Sequence, residues 1–126
     1  MAEKFFLCKI CGNVIGPVKG PSLKLECCGE PMTELVANTV DAAQEKHVPV
    51  ATVSGNTVKV EVGSVPHPML KEHHIAWVWL KSEQGVQRKK LPVDGAPQAV
   101  FALTEDDKAV EVYEYCNLHG LWKAAV

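Results

Sequence analysis

The 126-residue chain contains no apolar run approaching the ~20 residues of a membrane-spanning helix. It has no surplus of basic residues: 13 Lys and Arg stand against 15 Asp and Glu, a formal net charge of −2. That balance removes the cationic footprint of a nucleic-acid binder and the polybasic patch of a membrane-surface protein. The opening stretch Met1-Ala2-Glu3-Lys4-Phe5-Phe6-Leu7-Cys8 has too short an apolar run for a signal peptide, and Cys8 interrupts it, so a cytoplasmic location is expected. Internal repeats and low-complexity tracts are absent. Five cysteines cannot pair evenly, and a reducing cytosol argues against a disulfide framework.

What the chain does have is cysteine and histidine, kept apart. Cys8, Cys11, Cys27 and Cys28 lie in the first quarter, and His47, His67, His73, His74, Cys116 and His119 follow. The segregation suggests two metal sites of different chemistry.

Residues 1–37 read as a small first unit. Phe5-Phe6-Leu7 is a strand candidate, Gly16-Pro17 and Gly20-Pro21 mark turns, Leu23-Lys24-Leu25 alternates, and Met32 to Val36 suits another short strand. A unit this small buries too little apolar surface to fold unaided, so a structural metal or a dimer partner is expected. Ala37 to Gln44 reads as a linker in which Asp41, three residues before Gln44, suits the cap of one helical turn. Residues 38–126 carry a β pattern. Val48–Val53 and Thr57–Val62 flank a Gly55-Asn56 hairpin turn. Ile75–Leu80 is strongly apolar and expected to be central, and Trp77 and Trp79 share one face of it, with core packing the default. Gln87–Leu91, Gln98–Leu103, Val110–Tyr115 and Leu121–Ala124 follow. About seven short strands punctuated by turns predict an antiparallel β-sandwich of immunoglobulin type, so the fold class is all-β.

Cys8-x-x-Cys11 lets two sulfurs grip one ion, with Gly12 permitting the backbone to turn beneath them, and Cys27-Cys28 supplies two more. Four thiolates suit zinc or a single iron. The second pair is adjacent rather than Cys-x-x-Cys, which predicts a distorted approach and weakens a plain zinc-ribbon reading. For the second site the candidates are His47, His67, His73 or His74, Cys116 and His119. His67 sits between Pro66 and Pro68, and the others lie at loop–strand junctions, where a sandwich presents functional groups. His73 and His74, if extended, point to opposite faces, so one of them ligates, and spacing alone does not decide which. A β-sandwich with Cys116-x-x-His119 fits a blue-copper site. However, no methionine follows His119, and the extra histidines would have no role. Four imidazoles and one thiolate instead describe a five-coordinate iron with one position open, its thiolate donating electron density.

Three segments, Glu45-Lys46-His47-Val48-Pro49-Val50, Val62-Gly63-Ser64-Val65-Pro66-His67-Pro68-Met69 and Tyr115-Cys116-Asn117-Leu118-His119-Gly120, resemble the ligand segments of the desulfoferrodoxin family of two-iron superoxide reductases. The N-terminal Cys8-x-x-Cys11 with Cys27-Cys28-Gly29-Glu30-Pro31-Met32 resembles that family's desulforedoxin-type domain. The likeness spans nearly the whole chain. It implies an Fe(Cys)4 centre on Cys8, Cys11, Cys27 and Cys28 in a domain of residues 1–37. It further implies a catalytic Fe(His)4Cys centre on His47, His67, His73, His119 and axial Cys116 in a domain of residues 38–126. The family's spacing from the His-Pro-Met histidine selects His73, and His74 falls where relatives tend to carry a bulky aromatic residue. The implied activity is one-electron reduction of superoxide to hydrogen peroxide, without dioxygen release. A homodimer and a rubredoxin-like electron donor are implied as well.

Lys46, beside His47, is then expected to attract the anion and organise a proton-delivering water; otherwise it is a solvated loop lysine. Glu45 is expected to serve the resting state or product release; otherwise it partners Lys46 or adds solubility. Arg88-Lys89-Lys90 reads as a solvated edge that discourages strand addition, and Glu105-Asp106-Asp107 as a turn. Trp122, close behind His119, is expected to shield the metal. The competing functions are a non-enzymatic iron or copper electron-transfer protein and a zinc-stabilised interaction module. The charge balance opposes the module, and the open position opposes a pure carrier.

Overall fold

The computed structural model describes residues 3–19 and 24–126. The chain divides into two compact units, Met1–Val36 and Ala37–Val126.

The first unit is built from two-residue strands: β1 (Phe6–Leu7), β2 (Val14–Ile15), β3 (Glu26–Cys27), β4 (Glu30–Pro31) and β5 (Thr33–Glu34). β1 is central in the antiparallel order β2-β1-β5, and β3 pairs with β4. Phe5 and Phe6 are buried, and the bare Cα of Gly16 lies against the Phe5 ring, where a Cβ would come within 3.3 Å. Two expectations change here. Lys24 and Leu25 are outside any strand, which begins at Glu26 because β4 offers a partner only from that point; Leu23, Gly20 and Pro21 lie outside the described residues. The strand expected over Met32 to Val36 shortens to Thr33–Glu34, the length of the β1 edge it pairs with.

The second unit opens with one helical turn, α1 (Gln44–His47), followed by β6 (Pro49–Ser54), β7 (Thr57–Val62), β8 (Ile75–Ser82), β9 (Val86–Lys90), β10 (Gln98–Ala102), β11 (Ala109–Cys116) and β12 (Gly120–Ala125). These seven strands form two antiparallel sheets, ordered β10-β7-β6 and β12-β11-β8-β9, an immunoglobulin-type sandwich. β6 and β7 meet at Gly55-Asn56, where Gly55 takes φ +58°, a conformation free of Cβ strain only for glycine. Asp41 does not cap α1: Ala43 holds the N-cap position without a side-chain bond, because the helix starts at Gln44 and leaves Asp41 too far upstream.

Strict alternation along β7 buries Val58, Val60 and Val62. They meet Val78 and Leu80 of β8, Phe101 of β10, and Val112 and Cys116 of β11 in one core. Trp77 and Trp79 take the opposite face of β8 from Val78 and Leu80, so they stand outside that core. There the Trp77 ring stacks on Tyr115 at 5.8 Å and meets Trp79 at 6.2 Å. The branched aliphatics fill the narrow space between the sheets, and the wide indoles take the outer face.

Two of the sheet edges, β10 and β12, are covered by side chains. Gln87 Nε2 donates to Ala102 O (2.9 Å) and Lys89 Nζ donates to Val100 O, so β9 covers carbonyls of edge strand β10. Asn38, in the left-handed region (φ +63°), donates from Nδ2 to Lys123 O (3.1 Å) and accepts from Lys123 N–H (2.8 Å), covering the edge of β12. Glu105 and Asp106 form the expected turn, with Thr104 Oγ1 donating to Asp106 Oδ1 at 2.7 Å.

Candidate metal centres

The four N-terminal sulfurs lie within 4.8 Å of one another. Cys11 Sγ is 3.6 Å from Cys27 Sγ, and Cys27 Sγ is 3.9 Å from Cys28 Sγ. A disulfide would bring sulfurs to about 2.05 Å. Thiolates ~2.3 Å from one ion at tetrahedral corners stand about 3.8 Å apart. The adjacent pair converges through the backbone: Cys28 takes φ +54° and Gly29 φ +75°. A left-handed cysteine is unusual, and here it replaces the second Cys-x-x-Cys loop. Asn13 Nδ2 also donates to Cys27 Sγ at 3.8 Å. The Cys8 thiol is lowered to about 7, chiefly by a backbone N–H bond from Cys11, whereas neighbouring sulfurs, Cys11 first, push Cys28 up to about 12. Four thiols so close cannot all ionise at neutral pH without a cation between them, so the donor set fits a metal.

The second group gathers at one end of the sandwich. His47 ends α1, His67 lies between two prolines after β7, and His73 precedes β8. Cys116 ends β11, and His119 lies just before Gly120, whose φ of +78° starts β12. The five donors lie within 4.8 Å of one another. Cys116 is fully buried, His47 and His67 are 2% exposed, and His73 and His119 are half-buried.

Two of the rings, His47 and His67, have a donor nitrogen fixed by a backbone carbonyl. His47 Nδ1–H donates to Ala43 O (2.7 Å) and His67 Nδ1–H donates to Pro68 O (2.7 Å), so both offer the Nε2 lone pair inward. Those two Nε2 atoms are 3.2 Å apart, and His47 Nε2 is 3.1 Å from His119 Nδ1. His73 Nε2 is buried without a hydrogen-bond partner. Cys116 Sγ lies 3.5 Å from His67 Nε2 and 3.9 Å from His119 Nδ1. Lone pairs facing one another at such distances repel unless a cation sits among them. Protons do not fill that role: desolvation lowers the pKa of His47, His67 and His73, taking His67 to about 4. Burial also pushes the Cys116 thiol up. The residues fit a metal with four nitrogen donors and one sulfur.

His74 stands outside the cluster. Its Nδ1–H points to Leu70 O (2.9 Å) and Lys71 O (3.1 Å), so His73 is the member of the pair that joins the other donors. Trp122 packs its ring 5.0 Å from His47 and donates Nε1–H to His119 O (3.0 Å). Glu45 and Lys46 are exposed on α1, directly before His47.

A sequence profile of desulfoferrodoxins matches residues 39–125, and a profile of the desulfoferrodoxin N-terminal domain matches residues 2–35. The chain belongs to the desulfoferrodoxin family. A desulfoferrodoxin from Syntrophotalea carbinolica is 44% identical over 126 residues, covering 98% of each chain. A superoxide reductase structure from Treponema pallidum shares 48% identity at a TM-score of 0.85, covering 98% of this chain and 99% of its own. A superoxide reductase from Thermococcus kodakarensis is 38% identical over 99 residues, 65% of this chain and 86% of that protein. The four-cysteine group and the four-histidine, one-cysteine group match the two iron sites of desulfoferrodoxins.

Two polar residues near the second group were not singled out from the sequence. Asn117 bonds His74 N–H through Oδ1 (2.9 Å) and Glu72 O through Nδ2 (3.0 Å). Glu114 is fully buried, and neither carboxyl oxygen has a hydrogen-bond partner; desolvation raises its pKa well above the usual range. Its position was readable, since Val112, Glu114 and Cys116 alternate onto the inward face of β11. Asn117 gave only the weaker signal of an amide inside a turn between two ligands.

Proposed function

We propose that this desulfoferrodoxin reduces superoxide to hydrogen peroxide. The observation that carries the reading is the cluster of four imidazoles and one thiolate around one point. The superoxide reductases among its relatives support it. When bound at that cluster, iron supplies one electron, and superoxide takes up two protons to leave as hydrogen peroxide, with no dioxygen formed.

The chain's own residues account for the rest. His47, His67, His73, His119 and Cys116 hold the ion. The sulfur side is closed by the core, and Trp122 packs behind His47, so a small anion approaches past the half-buried imidazoles. Lys46 is exposed beside His47 and supplies positive charge to draw the anion in, and it holds a water that passes on a proton. Glu45 serves the resting state or product release. The Cys8, Cys11, Cys27 and Cys28 group holds the second iron. A rubredoxin-like protein returns the electron, the chain works as a cytoplasmic homodimer, and an electron carrier without an enzymatic role is the alternative.

Superoxide generated in the presence of a one-electron donor tests the reaction. Hydrogen peroxide without dioxygen is expected; stoichiometric dioxygen would make the protein a dismutase. Lys46→Ala should lower the second-order rate constant by about tenfold or more and flatten its dependence on ionic strength. A rate and salt response equal to the parent's would remove Lys46 from the mechanism.

A further inference from the structure

Two imidazoles, on His73 and His74, stand side by side at the entry to β8, and only one joins the metal group. What keeps the other out is visible in the hydrogen bonds around Asn117. Its Oδ1 accepts His74 N–H at 2.9 Å, and its Nδ2 donates to Glu72 O at 3.0 Å. Its own N–H donates to His74 O at 3.2 Å. Three bonds from one residue therefore fasten the positions on both sides of His73. His73 itself closes a reciprocal pair with Leu70, donating at 3.2 Å and accepting at 2.9 Å. With its backbone held this way, His74 settles its ring on the Leu70 and Lys71 carbonyls.

Asn117 also follows Cys116 directly and precedes His119 by two residues. The residue that fastens the His73 segment thus belongs to the loop carrying two other donors. It is exposed, so packing gives no reason for its identity. Its chemistry does: one short side chain must offer an acceptor to an N–H and a donor to a C=O at once. Asparagine does this, aspartate lacks the donor, and alanine lacks both.

We propose that Asn117 is the positioning residue that selects His73 over His74 as the metal ligand and sets His73 against Cys116 and His119. Groups that orient ligands in this way typically carry 10–100-fold in metal affinity. The inference rests on the metal-site reading above but not on the superoxide reaction.

The test uses the full chain with its four-cysteine site filled with spectroscopically silent zinc. Cobalt(II) is then titrated into the second site against a competing chelator, following the thiolate-to-cobalt band. Asn117→Ala should weaken cobalt binding about 10–100-fold and shift the band, and Asn117→Asp, which keeps the acceptor, should fall between it and the parent. His74→Ala should be silent in the parent background but weaken binding further when combined with Asn117→Ala. Conversely, His73→Ala should cost less in the Asn117→Ala background than alone, because the released His74 can replace it. Asn117→Ala binding within twofold of the parent, or His74→Ala being equally silent in both backgrounds, would overturn the proposal. A parent chain that binds no cobalt at the second site would overturn the metal reading itself.

Discussion

Burial shifts Cys116 and three of its neighbouring imidazoles, His47, His67 and His73, in opposite senses. The thiol is pushed up, so it is protonated at neutral pH in the metal-free chain; His47, His67 and His73 are pushed down, so they are neutral there. Metal entering this group at pH 7 should therefore expel about one proton, from sulfur. Affinity should rise about tenfold per pH unit through neutrality and level off once the thiol ionises unaided. Toward pH 4 it should fall more steeply, as His47, His67 and His73 compete for protons. Zinc titrations of the chain with its four-cysteine site already filled, in buffers of different ionisation enthalpy, measure the release, and Cys116→Ser should abolish it. The identity of these donors was legible because prolines flank His67 and strand ends frame Cys116 and His119. The choice of ring nitrogen was not legible. It depends on how each ring turns toward a nearby backbone carbonyl, Ala43 O for His47 and Pro68 O for His67, which residue spacing does not encode. Spacing within the chain left His73 and His74 equivalent and only the family resemblance selected His73, since what separates them is a hydrogen-bonding partner more than forty residues away.

At the level of elements, the segment that delivers His47 depends on Gly63, which follows β7. A Cβ there would stand 2.6 Å from Glu45 O and 3.0 Å from Val48 O, both backbone atoms that cannot swing aside. The same turn holds Glu45 O through Val65 N–H at 2.9 Å. Gly63→Ala should cost about 1–3 kcal/mol of stability, measured by denaturant unfolding, and should weaken metal binding at the histidine group. A variant as stable as the parent would show that the turn yields. The edge strand β10 offers a second test. Replacing both Gln87 and Lys89 with Ala uncovers the Ala102 and Val100 carbonyls, and light scattering should report faster self-association on incubation. The basic run on β9 thus guards an edge, although it guards the opposing sheet as well as its own strand. Strands were readable where one face is buried, as in β7. They were misjudged where pairing decides, as at β3. Alternation on β8 separated its two faces, but which face turns inward was settled by the opposing sheet.

Across the whole chain the two units differ in what keeps them together. The second has a continuous core of valines, leucine and Phe101 between two sheets. The first has two-residue strands and, among its described residues, only Phe5, Phe6 and Cys8 as buried apolar positions. Metal binding should therefore supply most of the folding free energy of residues 3–36 and little of that of residues 37–126. Cys8→Ser, or chelation of the four-cysteine site, should abolish amide-exchange protection in the first unit and leave β7, β8 and β11 protected. Loss of protection in both would mean that the units fold as one. The use of different ring nitrogens within the histidine group has a consequence in magnetic resonance. An imidazole bound through Nε2 keeps its Cβ remote from the metal, whereas His119, presenting Nδ1, brings its methylene within a few bonds, as Cys116 does. In the paramagnetic ferrous chain two pairs of β-proton resonances should move far outside the ordinary spectral window, one from His119 and one from Cys116. The β-protons of His47, His67 and His73 should shift much less.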